Sequence, residues 1–145
     1  MYDRSRTWAD ISLSALEHNY RTIEARLPEG CRMLSVVKAN AYGHGACEVA
    51  SRLAQLGASY LAVATPWEAL ELRSAGIRTP LLVLGHTPGQ MVAELARKDI
   101  TISVSSAKQA KEYSLALGGE RIKAHIKVDT GMARMGVVCM GRLEE

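Results

Sequence analysis

The chain has 145 residues, of which 48% are hydrophobic, and its formal net charge is +3. This composition excludes a disordered chain, and basic residues that are scattered among acids argue against a nucleic-acid-binding protein. Three cysteines without a CxxC spacing argue against the disulfide framework of a small secreted protein. The first residues contain no apolar segment as long as a signal peptide or membrane span, so we expect a cytoplasmic protein without a membrane partner.

Five apolar runs of strand length alternate with helix-like segments along the chain. The runs lie at 33–37, 60–64, 80–84, 100–104 and 124–128. This alternation predicts βα units on a parallel sheet, and apolar residues on both faces of each run indicate strands that helices cover on both sides. Because phenylalanine is absent, aliphatic residues and methionine must form the core, with Trp8 and Trp67 as its bulkiest members.

Capping hydroxyls, each followed three residues later by an acid or an amide, predict four helix starts. These pairs are Ser14 with Glu17, Thr65 with Glu68, Thr87 with Gln90, and Ser106 with Gln109. Neither GxGxxG nor GxxxxGK[ST] follows a strand, so dinucleotide-binding and P-loop folds lose support. An open parallel sheet and part of a barrel both remain, since a complete eight-stranded barrel needs about 250 residues.

The segment VVKANAYGHG, at 36–45, combines a lysine at the end of an apolar run with a tyrosine and two glycines. Lys38 leaves a buried strand, and a partly desolvated amine is a candidate for Schiff-base chemistry with a carbonyl cofactor. Judged by its position alone, a solvated lysine at a strand end is the commoner case. By spacing alone Tyr42 is likewise better explained as a half-packed residue at the rim of the sheet.

The string KANAYGHG resembles the pyridoxal-phosphate lysine motif of the alanine racemases. A second stretch, IKVDTGMARMG at 126–136, resembles that family's KxDTGMGRxG segment, and TWADISLSALEHNY at 7–20 resembles its opening strand and helix. The resemblance implies a partial (β/α)8 TIM-type barrel, with about five βα units after an N-terminal strand and helix. Residues 1–145 would then be the N-terminal part of the barrel domain, without the family's C-terminal β domain.

The resemblance also implies functions for individual residues. Lys38 would be the Schiff-base lysine for pyridoxal 5'-phosphate and one of two catalytic bases, and the Tyr42 hydroxyl would bind the cofactor phosphate. Arg134 would bind the cofactor's phenolic oxygen and the substrate carboxylate. Lys127 matches a lysine that is often carbamylated and holds that arginine in place. The activity implied is isomerisation of L-alanine to D-alanine for peptidoglycan of the cell wall, in a homodimer.

Other implications concern what the 145 residues lack. In the family the second base is a tyrosine from the partner subunit's C-terminal domain, so the chain alone is expected to be inactive.

Ala133 replaces the family's usual glycine before the arginine and Met135 its usual leucine, and a positive φ would strain Ala133. His44 has as good an explanation in a helix cap as in a phosphate site. The remaining histidines have no metal-ligand spacing, so no metal site is expected.

Three alternatives stay open. The first is a serine racemase of the same family, because the residues that sense the side chain lie largely outside this chain. The second is a non-catalytic barrel that carries pyridoxal phosphate. The third is an α/β fragment without a site, whose unclosed sheet edges would favour aggregation.

Overall fold

A computed structural model describes residues 7–138. Helices and strands alternate along most of this range. In chain order the elements are α1 (Leu13–Glu24), β1 (Leu34–Val36), α2 (Lys38–Tyr42), α3 (Ala46–Gln55), β2 (Tyr60–Val63), α4 (Pro66–Ser74), β3 (Leu81–Val83), a 3-10 turn (Gly89–Met91), α5 (Val92–Arg97), β4 (Ile100–Val104), α6 (Ala107–Leu117), β5 (Ala124–Ile126), β6 (Val128–Asp129) and β7 (Val137–Val138).

The first five strands form one sheet in the order β1-β2-β3-β4-β5, and every neighbouring pair is parallel. This arrangement confirms the predicted strands and their parallel pairing, with each strand within the predicted run. The short strands β6 and β7 form a separate parallel pair within the segment after β5. In the described residues no helix follows β5, so the fifth unit is present as its strand only.

Burial of the strands depends on their place in the sheet. The three inner strands are almost wholly buried, whereas β5 is exposed throughout and β1 exposes Leu34 and Val36. The expectation that both faces of all five strands are covered is therefore wrong for the two edge strands. Each edge strand has one side without a neighbouring strand, and the helices pack mainly on the centre of the sheet.

The core is aliphatic, as predicted, but the tryptophans are not part of it. Trp8 and Trp67 are 57% and 60% exposed. The largest side chains buried to less than 2% exposure are Leu61, Leu72, Leu81, Leu95, Ile100 and Ile102. Branched aliphatic side chains of this size fill the space between helices and sheet without any polar atom that needs a partner.

Two of the predicted helix starts are confirmed and two are wrong. Thr65 caps α4 in a reciprocal capping box with Glu68, and Ser106 caps α6. The cap of α1 is Ser12 rather than Ser14. Thr87 does not cap a helix, because its side chain is fully buried and a 3-10 turn precedes α5.

Residues 7–12 form no strand, contrary to the N-terminal strand that the resemblance implied. A strand requires a hydrogen-bonded neighbour, and in the described residues none of the sheet edges pairs with this segment. Its side chains are exposed, and the Trp8 indole nitrogen donates to Asp10 at 3.0 Å instead. No helix within residues 7–138 has the length and apolar character to cross a bilayer.

Candidate active site

The two sequence motifs begin at the same edge of the sheet. Lys38 lies two residues after the end of β1, and Lys127 follows β5 directly. Because all five strands are parallel, their carboxyl ends lie along one edge, which also holds the segments after β2, β3 and β4. In barrels of βα units this edge carries the active site.

Residues 39–42 form a left-handed turn. Ala39, Asn40, Ala41 and Tyr42 have φ values of 52°, 54°, 50° and 55°. An alanine or a tyrosine costs about 1–2 kcal/mol in this conformation and asparagine costs less, so the three other residues together cost roughly 3–6 kcal/mol. Such a cost is comparable with the net stability of a whole domain. The turn therefore persists only because its surroundings hold it, which is a feature of functional sites.

Backbone and side-chain hydrogen bonds hold the two ends of this turn. The Ala41 amide donates to Val37 and the Gly43 amide to Ala39, at 3.0 and 3.1 Å. The Asn40 side-chain oxygen accepts from the Ala46 amide at 2.8 Å and so caps α3 from outside that helix. Glycines at 43 and 45 take φ values of 87° and 90°, which glycine adopts freely, and so allow the chain to leave the turn.

Glu68 joins this turn to the start of α4. Its Oε1 accepts from the Ala39 amide at 2.6 Å, while its Oε2 accepts from the amides of Ala64 and Thr65 at 2.8 and 2.9 Å. Burial raises the pKa of the carboxyl group, but the hydrogen bonds from Ala39, Thr65 and Ala64 outweigh it and the pKa falls below its ordinary value. The carboxylate therefore stays ionised at neutral pH.

Lys38 and Tyr42 come together across the left-handed turn. The Lys38 Nζ lies 5.9 Å from the centre of the Tyr42 ring, a cation–π distance. The lysine is half-buried, and Tyr42 is 60% exposed with its hydroxyl free to meet a ligand. The imidazole of His44 binds the backbone of the turn, where its Nδ1 donates to the Ala41 carbonyl at 2.8 Å.

Lys127 follows the last residue of β5 instead of lying inside the strand. Its amide donates to the Val104 carbonyl at 2.8 Å, so the backbone continues the sheet pairing for one more residue. The half-buried side chain points along the same edge, with its Nζ 3.5 Å from the Leu84 carbonyl oxygen after β3. That distance is at the outer limit of a hydrogen bond.

Arg134 lies in a loop that Asp129 organises. The Asp129 Oδ1 accepts from the amides of Gly131 and Ala133 at 2.9 and 3.0 Å. These bonds, with others from the same loop, lower the pKa of Asp129. Ala133 has a φ of 53°, so the strain foreseen for this position is present. Arg134 is exposed in this loop.

A second hydrogen-bond network lies at the same edge, after β3 and β4. The Gln109 Nε2 lies 2.9 Å from the His86 Nδ1 and donates to the Tyr113 hydroxyl at 2.6 Å. The Tyr113 hydroxyl in turn donates to the Thr87 carbonyl at 2.7 Å. His86 is thus bound to a neighbouring helix, and in the described part of the chain no group of three metal-ligating side chains forms.

The sequence motifs predict Lys38 and Tyr42 as site residues, but they assign no role to the two carboxylates that bind the backbone of the turn and of the Arg134 loop. Glu68 and Asp129 had a visible signal, since Glu68 completes a capping box and Asp129 precedes a glycine in DTG. Neither signal reveals which distant amide the carboxylate reaches. The bond from Ala39 to Glu68 spans 29 residues and depends on how β1 and β2 are paired.

Comparisons with known proteins agree with this geometry. The alanine racemase N-terminal domain family matches residues 11–144. Alanine racemase 2 of Caldanaerobacter subterraneus subsp. tengcongensis is 45% identical over 139 residues, which are 94% of this chain and 36% of that protein. Alanine racemase 1 of Bacillus subtilis is 43% identical over 131 residues, or 90% and 34% of the two chains.

Solved structures give the same result. An alanine racemase of Clostridium difficile 630 superimposes with a TM-score of 0.88 at 39% identity, over 93% of this chain and 36% of that one. A histidine racemase from Leuconostoc mesenteroides subsp. sake reaches a TM-score of 0.81 at 34% identity, over 88% and 35%. The chain spans about a third of the length of these proteins, and its sheet is part of a TIM-type barrel.

Proposed function

Because this chain belongs to the alanine racemase family, we propose that it forms the cofactor-binding part of a racemase that interconverts L- and D-alanine. The family depends on pyridoxal 5'-phosphate. The observation that carries the proposal is the position of Lys38, which opens a strained left-handed turn at the carboxyl edge of the sheet and faces Tyr42. A turn of such cost is hard to explain by folding alone.

The donor set at this edge fits the cofactor. Lys38 offers a primary amine, which reacts with an aldehyde, and Tyr42 offers an exposed hydroxyl, which donates to a phosphate oxygen. A side chain at Gly43 would meet no atom within 4 Å, so the backbone beside Tyr42 is open to a ligand. When bound, the cofactor supplies the electron sink that acidifies the Cα proton of the substrate.

We assign the remaining steps to the residues of this chain. Lys38 Nζ would hold the cofactor at its carbonyl carbon and, once the substrate amine has displaced it there, the freed amine would remove or return the proton on one face of Cα. Tyr42 fixes the phosphate end. Arg134 donates to the phenolic oxygen and to the substrate carboxylate, for which a planar guanidinium is well suited. Lys127, as a carbamate, accepts from the Arg134 guanidinium and so orients it.

The first test is covalent. The purified protein is mixed with pyridoxal phosphate, reduced with borohydride, digested and mapped by mass spectrometry. Before reduction we expect a visible absorbance band, and after reduction we expect a pyridoxyl group on Lys38. Lys38→Ala should abolish both signals. Lys108→Ala, at an exposed position on α6, is the matched control and should change nothing. Labelling spread evenly over surface lysines, or unchanged in Lys38→Ala, would contradict the proposal.

Racemisation needs a second base on the opposite face of Cα. We propose that residues outside these 145, in the C-terminal domain of a partner subunit, supply it as a tyrosine, and that the active form is a homodimer. The 145 residues alone would then bind the cofactor without racemising alanine. Turnover of L-alanine by the purified 145-residue chain, absent in Lys38→Ala, would contradict this proposal.

The choice of amino acid rests on the whole protein. A histidine racemase shares this barrel portion at 34% identity, so the portion is compatible with more than one side chain. We propose alanine, with serine as the alternative, and a cytoplasmic role in supplying D-alanine to peptidoglycan. The complete gene should restore growth of a D-alanine auxotroph, and failure to do so at good expression would favour another substrate.

A further inference from the structure

We propose that Glu68 is a positioning residue for Lys38, acting through the left-handed turn at 39–42. This inference rests on the proposed function, since it concerns how the lysine is presented to the cofactor. Glu68 lies on α4 and does not belong to either sequence motif. Its carboxylate is nevertheless bound to the backbone amide that directly follows Lys38.

The two oxygens of Glu68 have separate tasks. Oε2 accepts from the amides of Ala64 and Thr65 and from the Thr65 hydroxyl, which is the ordinary work of a capping box. Oε1 accepts from the Ala39 amide at 2.6 Å, in the segment that follows the neighbouring strand β1. A charged acceptor at this distance makes one of the stronger hydrogen bonds available to a backbone amide.

This bond acts where the turn begins. Ala39 is the first of the four residues with positive φ, and its amide orients the peptide unit that carries Lys38. Without the bond, nothing else in the described hydrogen-bond network holds the Ala39 amide in place. The turn would then relax toward a less strained backbone and carry Lys38 and Tyr42 with it.

A similar arrangement occurs once more in the sheet. Gln109 occupies the matching position on α6, and its Oε1 accepts from the Ser105 amide and hydroxyl. Its Nε2 reaches back to His86, in the segment after the preceding strand. In both cases the third residue of a helix binds the segment at the end of the strand before, but only Glu68 holds a strained turn with a charged group.

The test compares Glu68→Gln with Thr65→Ala. The amide of glutamine has one acceptor oxygen, so one end of the side chain must place an NH₂ group against backbone N–H donors. Thr65→Ala removes the capping hydroxyl and leaves the bond between Glu68 and Ala39 in place. Both variants weaken the start of α4, and only Glu68→Gln also removes the negative charge that binds the Ala39 amide.

Three readouts separate positioning from simple helix capping. In Glu68→Gln we expect pyridoxal phosphate to bind about tenfold more weakly or worse, and the pH midpoint of the lysine-bound absorbance band to move. We also expect faster hydrogen exchange at the Ala39 amide without cofactor. In Thr65→Ala the cofactor affinity, the midpoint and this exchange rate should remain as in the wild type, while the melting temperature falls.

The possible failures are distinguishable. Equal cofactor binding and Ala39 exchange in the two variants would overturn the inference and leave the proposed function intact, whereas absence of a Lys38 adduct in the wild type would overturn both. If Glu68→Gln does not fold, the inference is tested on the wild-type protein by NMR. The chemical shift of the Ala39 amide proton should then change over the pH range in which Glu68 is protonated. A shift that does not change as this carboxylate is protonated overturns the inference.

Discussion

Replacing Ala39 by glycine should stabilise the protein. Alanine at this position has a φ of 52° and an exposed side chain, so the methyl group contributes strain and little burial. Glycine adopts the same backbone without the clash between Cβ and the following carbonyl oxygen. Substitution of alanine by glycine ordinarily weakens a protein, and the opposite sign is therefore informative.

The magnitude follows from two opposing terms. Removing the left-handed strain of one residue gains about 1–2 kcal/mol. The greater freedom of glycine in the unfolded chain takes back about 0.4–1 kcal/mol. The net gain in the free energy of unfolding is then about 0.8 kcal/mol, within a range from about zero to about 1.6 kcal/mol, and the central value raises the melting temperature of a protein of this size by about 2–4 °C.

The assay is thermal and urea unfolding without added cofactor, with Ala110→Gly as the matched control. Ala110 is also exposed but lies within the right-handed helix α6, where glycine costs about 1 kcal/mol. The two variants should therefore shift the melting temperature in opposite directions. A loss of similar size in both would refute the reasoning, since it would mean that residue 39 is not held at positive φ in solution.

Three further predictions concern the framework of the site. Arg73→Lys should lower the free energy of unfolding by about 1–3 kcal/mol. The guanidinium donates to four backbone carbonyls at 2.8–3.1 Å, which one ammonium group cannot reach together. Unchanged urea unfolding of the variant would count against this prediction. Gly136→Ala would place a Cβ 2.6 Å from the Asp129 amide nitrogen, so we expect faster hydrogen exchange across 129–136, and wild-type protection would be the contrary result. The pKa of Glu68 lies below its ordinary value of 4.5, because its hydrogen bonds outweigh the opposing effect of burial. The stabilisation that the ionised carboxylate provides is therefore complete above pH 4.5 and is lost as the pH falls through the lowered pKa. The stability difference between wild type and Glu68→Gln should then shrink in acid, and a constant difference from pH 7 to pH 3 would contradict the assignment.

Local sequence patterns predicted the elements well where each element contains its own signal. The apolar runs identified all five parallel strands, and the Thr65 and Ser106 caps begin the helices predicted from them. The pattern failed where the outcome depends on neighbours. Trp8 has no strand or helix packed over it, and the run at 124–128 becomes an exposed edge because no strand lies beyond it in the described residues.

The features of the site can be divided in the same way, into those with a local sequence signal and those without one. The motif predicted Lys38 and Tyr42 together, and the substitution of alanine for the usual glycine predicted strain at residue 133, which the backbone confirms. No propensity predicts consecutive left-handed residues at 39–42, since only glycine adopts that conformation freely. Their conformation is imposed by long-range bonds such as that from Ala39 to Glu68, which a single sequence does not display. The functional assignments of Lys38, Tyr42, Arg134 and Lys127 all stay predictions.

The order of the strands in the sheet has a consequence for how the protein is made. Within residues 7–138 each strand pairs only with strands adjacent to it in sequence, and the paired residues of the five-stranded sheet are 19 to 26 positions apart. The pairings within this sheet can therefore begin before distant parts of the chain have been synthesised. Because domains form from the N-terminus during synthesis, each new unit can dock on the edge left by the one before it. On the ribosome, the Lys38 turn would acquire its contact with Glu68 once β2 and α4 have emerged, long before the Arg134 loop is synthesised.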